Sequence, residues 1–478
     1  MTTLAIHAHF YQPDRRDPIS GLVPQDFLAA PAHDWNERIY EQCYAPNARQ
    51  GNYARIGYDF GPTLLTWLRA QHPGLHAAIA MQSAGESAMA QGWHHAILPL
   101  SSPRDRRTEI HWGVADFAFR FGHAPKGFWL PETAVNDDTL CDLVDAGIRY
   151  VILAPWQAAF GVDTRRLYRV ELPGDRRIVA AFYDGDLSAR VSFEDRATQN
   201  ADRFVTEYVC PKSGWLDDGS EPLIIVATDG ELYGHHKDFR DHFLRALPAA
   251  CQRAGITMST VGDVVAGLTE MKIANLHPVV IAQNTSWSCH HGLSRWSHEC
   301  GCSTDGAWKR ILRSALNDLA PVLDDASESA LKALGLDIWD LRDRYVVVAA
   351  GYAEADDFAA AALAGSPWAD DPTSVEIVRD LLAAQRSRLA MFTSCGWFWD
   401  DPSRQETLSC LIYAADAIEK VRRLTGVDAG PTFEKSLVGF RSRVTFESGD
   451  ALYGFAAAEL PPLMSTQKSV DAEQSLRL

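Results

Sequence analysis

Leu223-Ile-Ile-Val-Ala-Thr-Asp229-Gly-Glu231-Leu-Tyr-Gly-His235-His236 opens with five consecutive apolar residues and closes on carboxylates and histidines. A strand with one face in water alternates apolar and polar residues, whereas a short unbroken apolar run fits a strand covered on both faces. Similar runs occupy residues 4–8, 75–80, 127–130, 150–153, 177–182 and 279–282. Helical periodicity lies between them, at 62–70, 107–121, 138–146, 198–209 and 238–254. Strand and helix in repeated alternation mean a parallel α/β sheet or barrel. Seven candidate strands favour a distorted TIM-like (β/α)7 barrel.

Beyond residue 306 the pattern turns to long helical stretches, at 308–334 with a break expected at Pro321, 374–393 and 405–424. The expected organisation is a catalytic barrel over 1–305, an α-helical domain over 306–456 and a loosely ordered tail over 457–478. The net charge of −17 opposes phosphate-rich and anionic-membrane partners, so neither nucleic acid nor membrane is expected. No apolar run reaches the ~18 residues of a membrane helix. The nine cysteines are odd in number and scattered, and the N-terminus lacks a basic start followed by an apolar stretch. Both features predict a cytoplasmic protein with free thiols. Oligomeric state is not readable. Fourteen tryptophans give a heavy aromatic load, suited to stacking on sugar rings as well as to a core.

In a barrel of parallel strands, function collects at the carboxyl ends of the strands. Four such ends carry the same chemistry: His7-Ala-His9-Phe-Tyr-Gln12-Pro13, Trp129-Leu-Pro-Glu132, Asp229-Gly-Glu231-Leu-Tyr-Gly-His235, and Trp287-Ser-Cys-His290-His291-Gly with Arg295-Trp296. Two carboxylates on different strands, among imidazoles and indoles, are what glycoside cleavage needs. One attacks the anomeric carbon or activates water, and the other protonates the leaving oxygen. Glu132 and Asp229 are the expected pair. Either acid taken alone reads equally as a helix cap or first-turn acid.

These segments resemble signature regions of glycoside hydrolase family 57. A bacterial subgroup, related to α-amylase and 4-α-glucanotransferase-type members, is similar over most of the chain, including Phe60-Gly-Pro-Thr-Leu and Phe392-Thr-Ser-Cys-Gly-Trp397. The resemblance implies a (β/α)7 barrel with a helical domain and retaining chemistry on α-glucans, with Glu132 as nucleophile and Asp229 as acid/base. It further implies that His7, His9, Trp129, Glu231 and His235 line the substrate subsites. Gln12, Trp287, His290, His291, Trp296 and Trp397 complete the expected set. A second signature matches only as the degenerate Gln82-Ser-Ala-Gly85-Glu86. After the second acid the chain runs straight toward a helix near Asp238, without the long aromatic-rich insertion of the family's branching enzymes.

A nucleophile must be ionised and an acid protonated at one pH, so His7, His9 and His235 are expected to hold Glu132 ionised while Asp229 has a raised pKa. Cys289, Cys300 and Cys302 with His290 and His291 are donor types that zinc accepts, but the Cys-x10-Cys-x-Cys spacing is not a standard zinc pattern. Buried thiols beside sugar-facing histidines are therefore expected, with no metal and no cofactor. The competing readings are a metal-dependent polysaccharide deacetylase, which wants a His-x3-His pair that His7 and His9 do not provide, and an inert carbohydrate-binding scaffold.

Overall fold

The computed structural model describes residues 1–458 apart from 18, 19, 84 and 303. Its strands are β1 (Thr3–Phe10), β2 (Gly57–Phe60), β3 (Ala88–Gln91), β4 (Phe128–Trp129), β5 (Tyr150–Leu153), β6 (Leu167–Leu172), β7 (Arg176–Phe182) and β8 (Leu223–Asp229), with the short β9 (Thr257–Met258) and β10 (His277–Pro278). One sheet runs β4-β3-β2-β1-β8 and is parallel throughout; a second runs β10-β6-β7-β5. The sheets meet at two seams. Gly127, before β4, bridges Tyr150 of β5, and the Asp184 N–H after β7 donates to the Ile225 carbonyl of β8 at 2.7 Å. The ring is thus β1-β2-β3-β4-β5-β7-β8, a seven-stranded, distorted TIM-like barrel, with β6 added antiparallel on β7.

Side-chain alternation along these strands sets what the barrel encloses. Leu4, Ile6, Ala8 and Phe10 face outward into the large core beneath the helices. Ala5 faces inward, with Met89, Trp129, Ile152, Val179, Ala181, Ile225 and Ala227. The same parity turns His7 and His9 of β1, Asp59 of β2, Gln91 of β3 and Asp229 of β8 toward the barrel interior. Register brings His9 level with Asp59 on one side and with Asp229 on the other.

Two expected strands are not strands. Residues 75–80 lie in the helix Pro73–Gln82, where Leu75 and Ile79 are the buried pair, a spacing of four that belongs to a helix. Residues 279–282 contribute only an isolated bridge from Ile281 to Ala158. The strands taking their places, β2 and β3, are four residues each and carry a polar residue at the position that matters most.

The helical part is built on Ala307–Ala333, Pro372–Ala390 and Gln405–Thr425. Leu312, Leu316, Leu319 and Leu323 form the buried stripe of the first, which runs through Pro321 without the expected break. Each such leucine contributes roughly 1.5–3 kcal/mol of burial. Polar contacts tie these helices to one another and to the barrel as well. Arg388 bonds Asp105 at 2.6 Å and Asp324 at 2.7 Å, and Trp112 Nε1 donates to the Arg342 carbonyl at 3.0 Å. After Pro372–Ala390 the chain crosses the barrel mouth: Thr393 bridges Ala96, and the Ser394 N–H donates to the His95 carbonyl at 3.1 Å. The tail expected over 457–478 lies, past Ala458, outside the described residues. Among the described residues no helix is long and apolar enough to cross a membrane.

Candidate active site

A cleft of about 310 Å³ opens at the carboxyl ends of β1, β4 and β8, under the crossing segment. At its floor, buried Asp59 accepts from His7 Nε2 at 2.9 Å, His9 Nδ1 at 2.8 Å and Gln91 Nε2 at 2.9 Å. Burial disfavours a charged His9, but Asp59, Asp229 and Glu231 outweigh it and raise its pKa to about 9. His9 is therefore a cation at neutral pH. His7 goes the other way: burial lowers its pKa, and Asp59 offsets this only in part. Trp129 stacks on both rings, at 4.8 Å from His7 and 5.0 Å from His9.

Glu132 follows β4 in the turn Pro131–Thr133, with φ 56° and ψ 20°. Thr133 also has positive φ. A left-handed non-glycine residue costs on the order of 1–3 kcal/mol and persists only where its surroundings impose it. Here the buried Gln157 side chain imposes it, accepting from Thr133 Oγ1 at 2.9 Å and donating to the Thr133 carbonyl at 2.7 Å. The Glu132 carboxylate accepts from Ser288 Oγ at 2.6 Å and Trp287 Nε1 at 3.1 Å. Burial raises its pKa and Asp229 adds to the rise, while Ser288, His9 and Trp287 pull it down. The expected histidine donors are replaced by this serine and indole, because Asp59 engages both β1 histidines.

Asp229 ends β8 with its side chain open to the cleft, and its carboxylate has no hydrogen-bond donor among the described residues. The crowding of protein around it raises its pKa, against the pull of His9 and His236. Both acids are thus raised, and what separates them is donors: Glu132 has two and Asp229 none. Donors to the charged form favour that form. Glu231 lies two residues on and is buried, accepting from Tyr44 Oη at 2.7 Å and the Tyr11 N–H at 3.2 Å. Burial drives its pKa up to about 7, with Asp229 adding to the rise and Tyr44 opposing it. A side chain on the intervening Gly230 would meet the Phe10 ring at 2.3 Å, so only glycine allows this tight turn between the two acids.

Of the remaining expected residues, Gln12 and Trp287 line the cleft. His7 and Trp129 lie beneath the floor, fully buried. His235 turns away to bond Gln42, and its neighbour His236 faces the cleft instead. Trp296 and Trp397 are wholly buried in the helical core; Phe398 and Trp399 roof the cleft in their stead. His290 packs its ring against Trp156 at 5.5 Å, outside the cleft. His291 bonds Cys302 Sγ at 3.3 Å, in a group with Cys289 and Cys300 whose ligand atoms all lie within 4.8 Å of one another. Glu86 meets Asp263 at the far end of β3, whose functional end is Gln91.

Sequence reading missed Asp59 and Gln91, and of the adjacent pair His94-His95, at which one functional member at most was expected, it is His95 that lines the cleft. His95 has φ 56°, stacks on Tyr11 at 3.8 Å, and bonds Ser394 Oγ at 2.6 Å, while its buried Nε2 has no hydrogen-bond partner among the described residues. The signal for Asp59 was an acid inside the apolar run Ile56–Phe60.

Residues 34–278 match the family model described as glycosyl hydrolase family 57. The chain belongs to that family. Residues 305–476 match a second model, described as a domain of unknown function (DUF3536). Among curated relatives, a probable 1,4-alpha-glucan branching enzyme of Mycobacterium tuberculosis is 28% identical over 219 residues, covering 36% of this chain and 42% of that protein. Alpha-amylase 1 of Dictyoglomus thermophilum is 28% identical over 123 residues, covering 24% of this chain and 18% of that one. The chain therefore spans less than half the length of these relatives. In fold it is similar to an exo-type maltose-forming amylase of Pyrococcus sp. ST04 (TM-score 0.72, 14% identity, 95% of this chain and 88% of that one). It is also similar to a family 57 branching enzyme of Pyrococcus horikoshii (TM-score 0.60, 12% identity, 96% and 94%).

Proposed function

We propose that this chain is a retaining glycoside hydrolase or transglycosylase acting on α-glucans, whether α-1,4-linked glucose oligomers or glycogen-like polymers. Glu132 is the nucleophile and Asp229 the acid/base. Glu132 attacks the anomeric carbon while Asp229 protonates the departing glycosidic oxygen, leaving a glycosyl ester on Glu132. Asp229 then takes a proton from an incoming water or sugar hydroxyl, whose oxygen displaces the ester and frees Glu132. The observation that carries this reading is the asymmetry of the two acids on one cleft. The carboxylate on the strained turn has Ser288 and Trp287 to hold it charged, and the other has a raised pKa and no donor. Cationic His9 steadies the anionic charge at the floor, and Trp287, Phe398 and Trp399 offer apolar faces to sugar rings.

Family membership supports the substrate class, since the relatives' names all describe proteins that act on α-glucans. Nine free thiols support a cytoplasmic location. The test is incubation with maltooligosaccharides and with glycogen, resolving products by size and linkage and reading the first-formed anomer by NMR. Release of α-configured products, or growth of longer or newly linked chains, supports the reading. β-Configured products contradict the retaining mechanism, and no turnover of any glucan contradicts the enzyme.

A further inference from the structure

Among the described residues between Gln283 and Gly306 there is no regular element beyond the single turn Ser294–Trp296, yet this stretch carries both donors to Glu132. Directly after Ser288 comes Cys289, and the loop returns thirteen residues later to place Cys302 Sγ 3.9 Å from Cys289 Sγ. His291 Nδ1 stands 3.3 Å from the same Cys302 sulfur, and Cys300 completes a group whose four ligand atoms lie within 4.8 Å of each other. Cys289 and Cys300 are buried, while His291 and Cys302 are exposed. Gly301, between the last two cysteines, lies close under the His291 ring, where a Cβ would stand 3.2 Å from it.

From this geometry we infer that Cys289, His291, Cys300 and Cys302 form a structural zinc site that clamps the loop presenting Trp287 and Ser288 to Glu132. A tetrahedral ion with Zn–S bonds of about 2.3 Å has sulfur–sulfur edges of about 3.8 Å and slightly shorter sulfur–nitrogen edges. The two distances above match both kinds of edge. Three thiolates and one imidazole fill all four positions, as structural zinc sites do, and leave none for substrate or water. The spacing departs from ordinary zinc patterns because the ligands span one long loop. Binding takes up Zn²⁺ and releases the three thiol protons to solvent, giving a centre of net charge −1 with no change of oxidation state. A disulfide between Cys289 and Cys302 is the competing chemistry, and it would leave Cys300 and His291 without a role. The inference concerns the ligand set and holds whatever reaction Glu132 performs.

The test begins with protein purified under reducing conditions and without a metal-affinity tag. Zinc is measured per chain by mass spectrometry, and after zinc removal Co²⁺ is added to the refolded, full-length protein. One zinc per chain is expected, with a Co²⁺ spectrum showing intense tetrahedral d–d bands and a thiolate-to-cobalt charge-transfer band. Cys302→Ser and His291→Ala, both at exposed positions, should each lower the zinc content to well under half. The control Cys141→Ser, on the helix Asp137–Asp145, should retain it. Hydrogen exchange over residues 284–302 should quicken on zinc removal while β1 and β8 stay protected. Substoichiometric zinc with a six-coordinate cobalt spectrum, zinc unchanged in both ligand variants, or a Cys289–Cys302 disulfide in the freshly isolated protein overturns the site.

Discussion

Trp287 is tied to Glu132 twice: its indole N–H donates to Oε2 at 3.1 Å, and its main-chain N–H donates to the Glu132 carbonyl at 3.1 Å. The second bond fixes where the loop meets the strained turn, and the first acts on the carboxylate. Trp287→Phe removes only the first and keeps a ring to pack edge-on against Trp129. A hydrogen bond to a charged group contributes roughly 1.5–3 kcal/mol, so kcat should fall about 10- to 100-fold with KM changed by little. Ser288→Ala should behave alike. Steady-state kinetics on maltooligosaccharides check both, and an unchanged kcat would show that these donors do not hold the nucleophile.

The roof and the core should separate cleanly. Trp399 lines the cleft and is partly exposed, whereas Trp397 is fully buried with Arg313 over its ring at 4.1 Å. Trp399→Ala should raise KM for oligosaccharides several-fold and leave the Tm nearly unchanged. Trp397→Ala should cost roughly 3–5 kcal/mol of stability through the cavity it leaves. Thermal unfolding and kinetics on both variants distinguish the two, and reversed effects would put the sugar platform in the wrong place.

Asp229 has to supply a proton only when the leaving group needs one. Asp229→Ala should depress kcat/KM on natural glucans by orders of magnitude yet spare kcat/KM on an aryl glucoside with an acidic phenol as leaving group, since only formation of the glycosyl ester is then read. The ratio of the two rates is the readout. An equal loss on both substrates would remove Asp229 from the acid role.

Glu231 has a pKa of about 7 in the folded protein against an ordinary 4.5. Between those values the folded chain holds a proton that the unfolded chain has released, so stability falls as pH rises through this window. The full shift corresponds to roughly 3 kcal/mol. Glu231→Gln keeps an oxygen for Tyr44 and does not titrate. Urea unfolding at pH 4.5 and pH 8 should therefore show a smaller drop in the variant than in the wild type. Equal drops would mean that Glu231 titrates normally.

Much of this was legible because apolar runs and their polar ends mark parallel strands. Residues 223–227 read directly as the body of β8, which runs two residues further to Asp229, and the segment 127–132 placed Glu132 after its strand. Four-residue strands gave too little pattern to read: Gly57–Phe60 hides Asp59, and Ala88–Gln91 hides Gln91. A helix with buried residues at 75 and 79 counterfeited the missing strand. Adjacent candidates were decided by main-chain direction, which periodicity cannot supply in a turn. His236 faces the cleft where His235 was expected, and Trp399 where Trp397 was. The donors to Glu132 come from a loop 155 residues downstream, a contact no local pattern carries.

Trapping the covalent intermediate decides whether Glu132 is the nucleophile. The wild-type enzyme is incubated with an activated α-glucosyl fluoride bearing a second fluorine on the ring, which slows breakdown of the glycosyl ester more than its formation. It is then quenched in acid, digested, and the peptides are sequenced by mass spectrometry. One fluorinated hexosyl adduct is expected, on the peptide containing Glu132, absent from Glu132→Gln and from protein preincubated with excess maltooligosaccharide. An adduct on Asp229 or Glu231, or inactivation without any adduct, would contradict that role for Glu132.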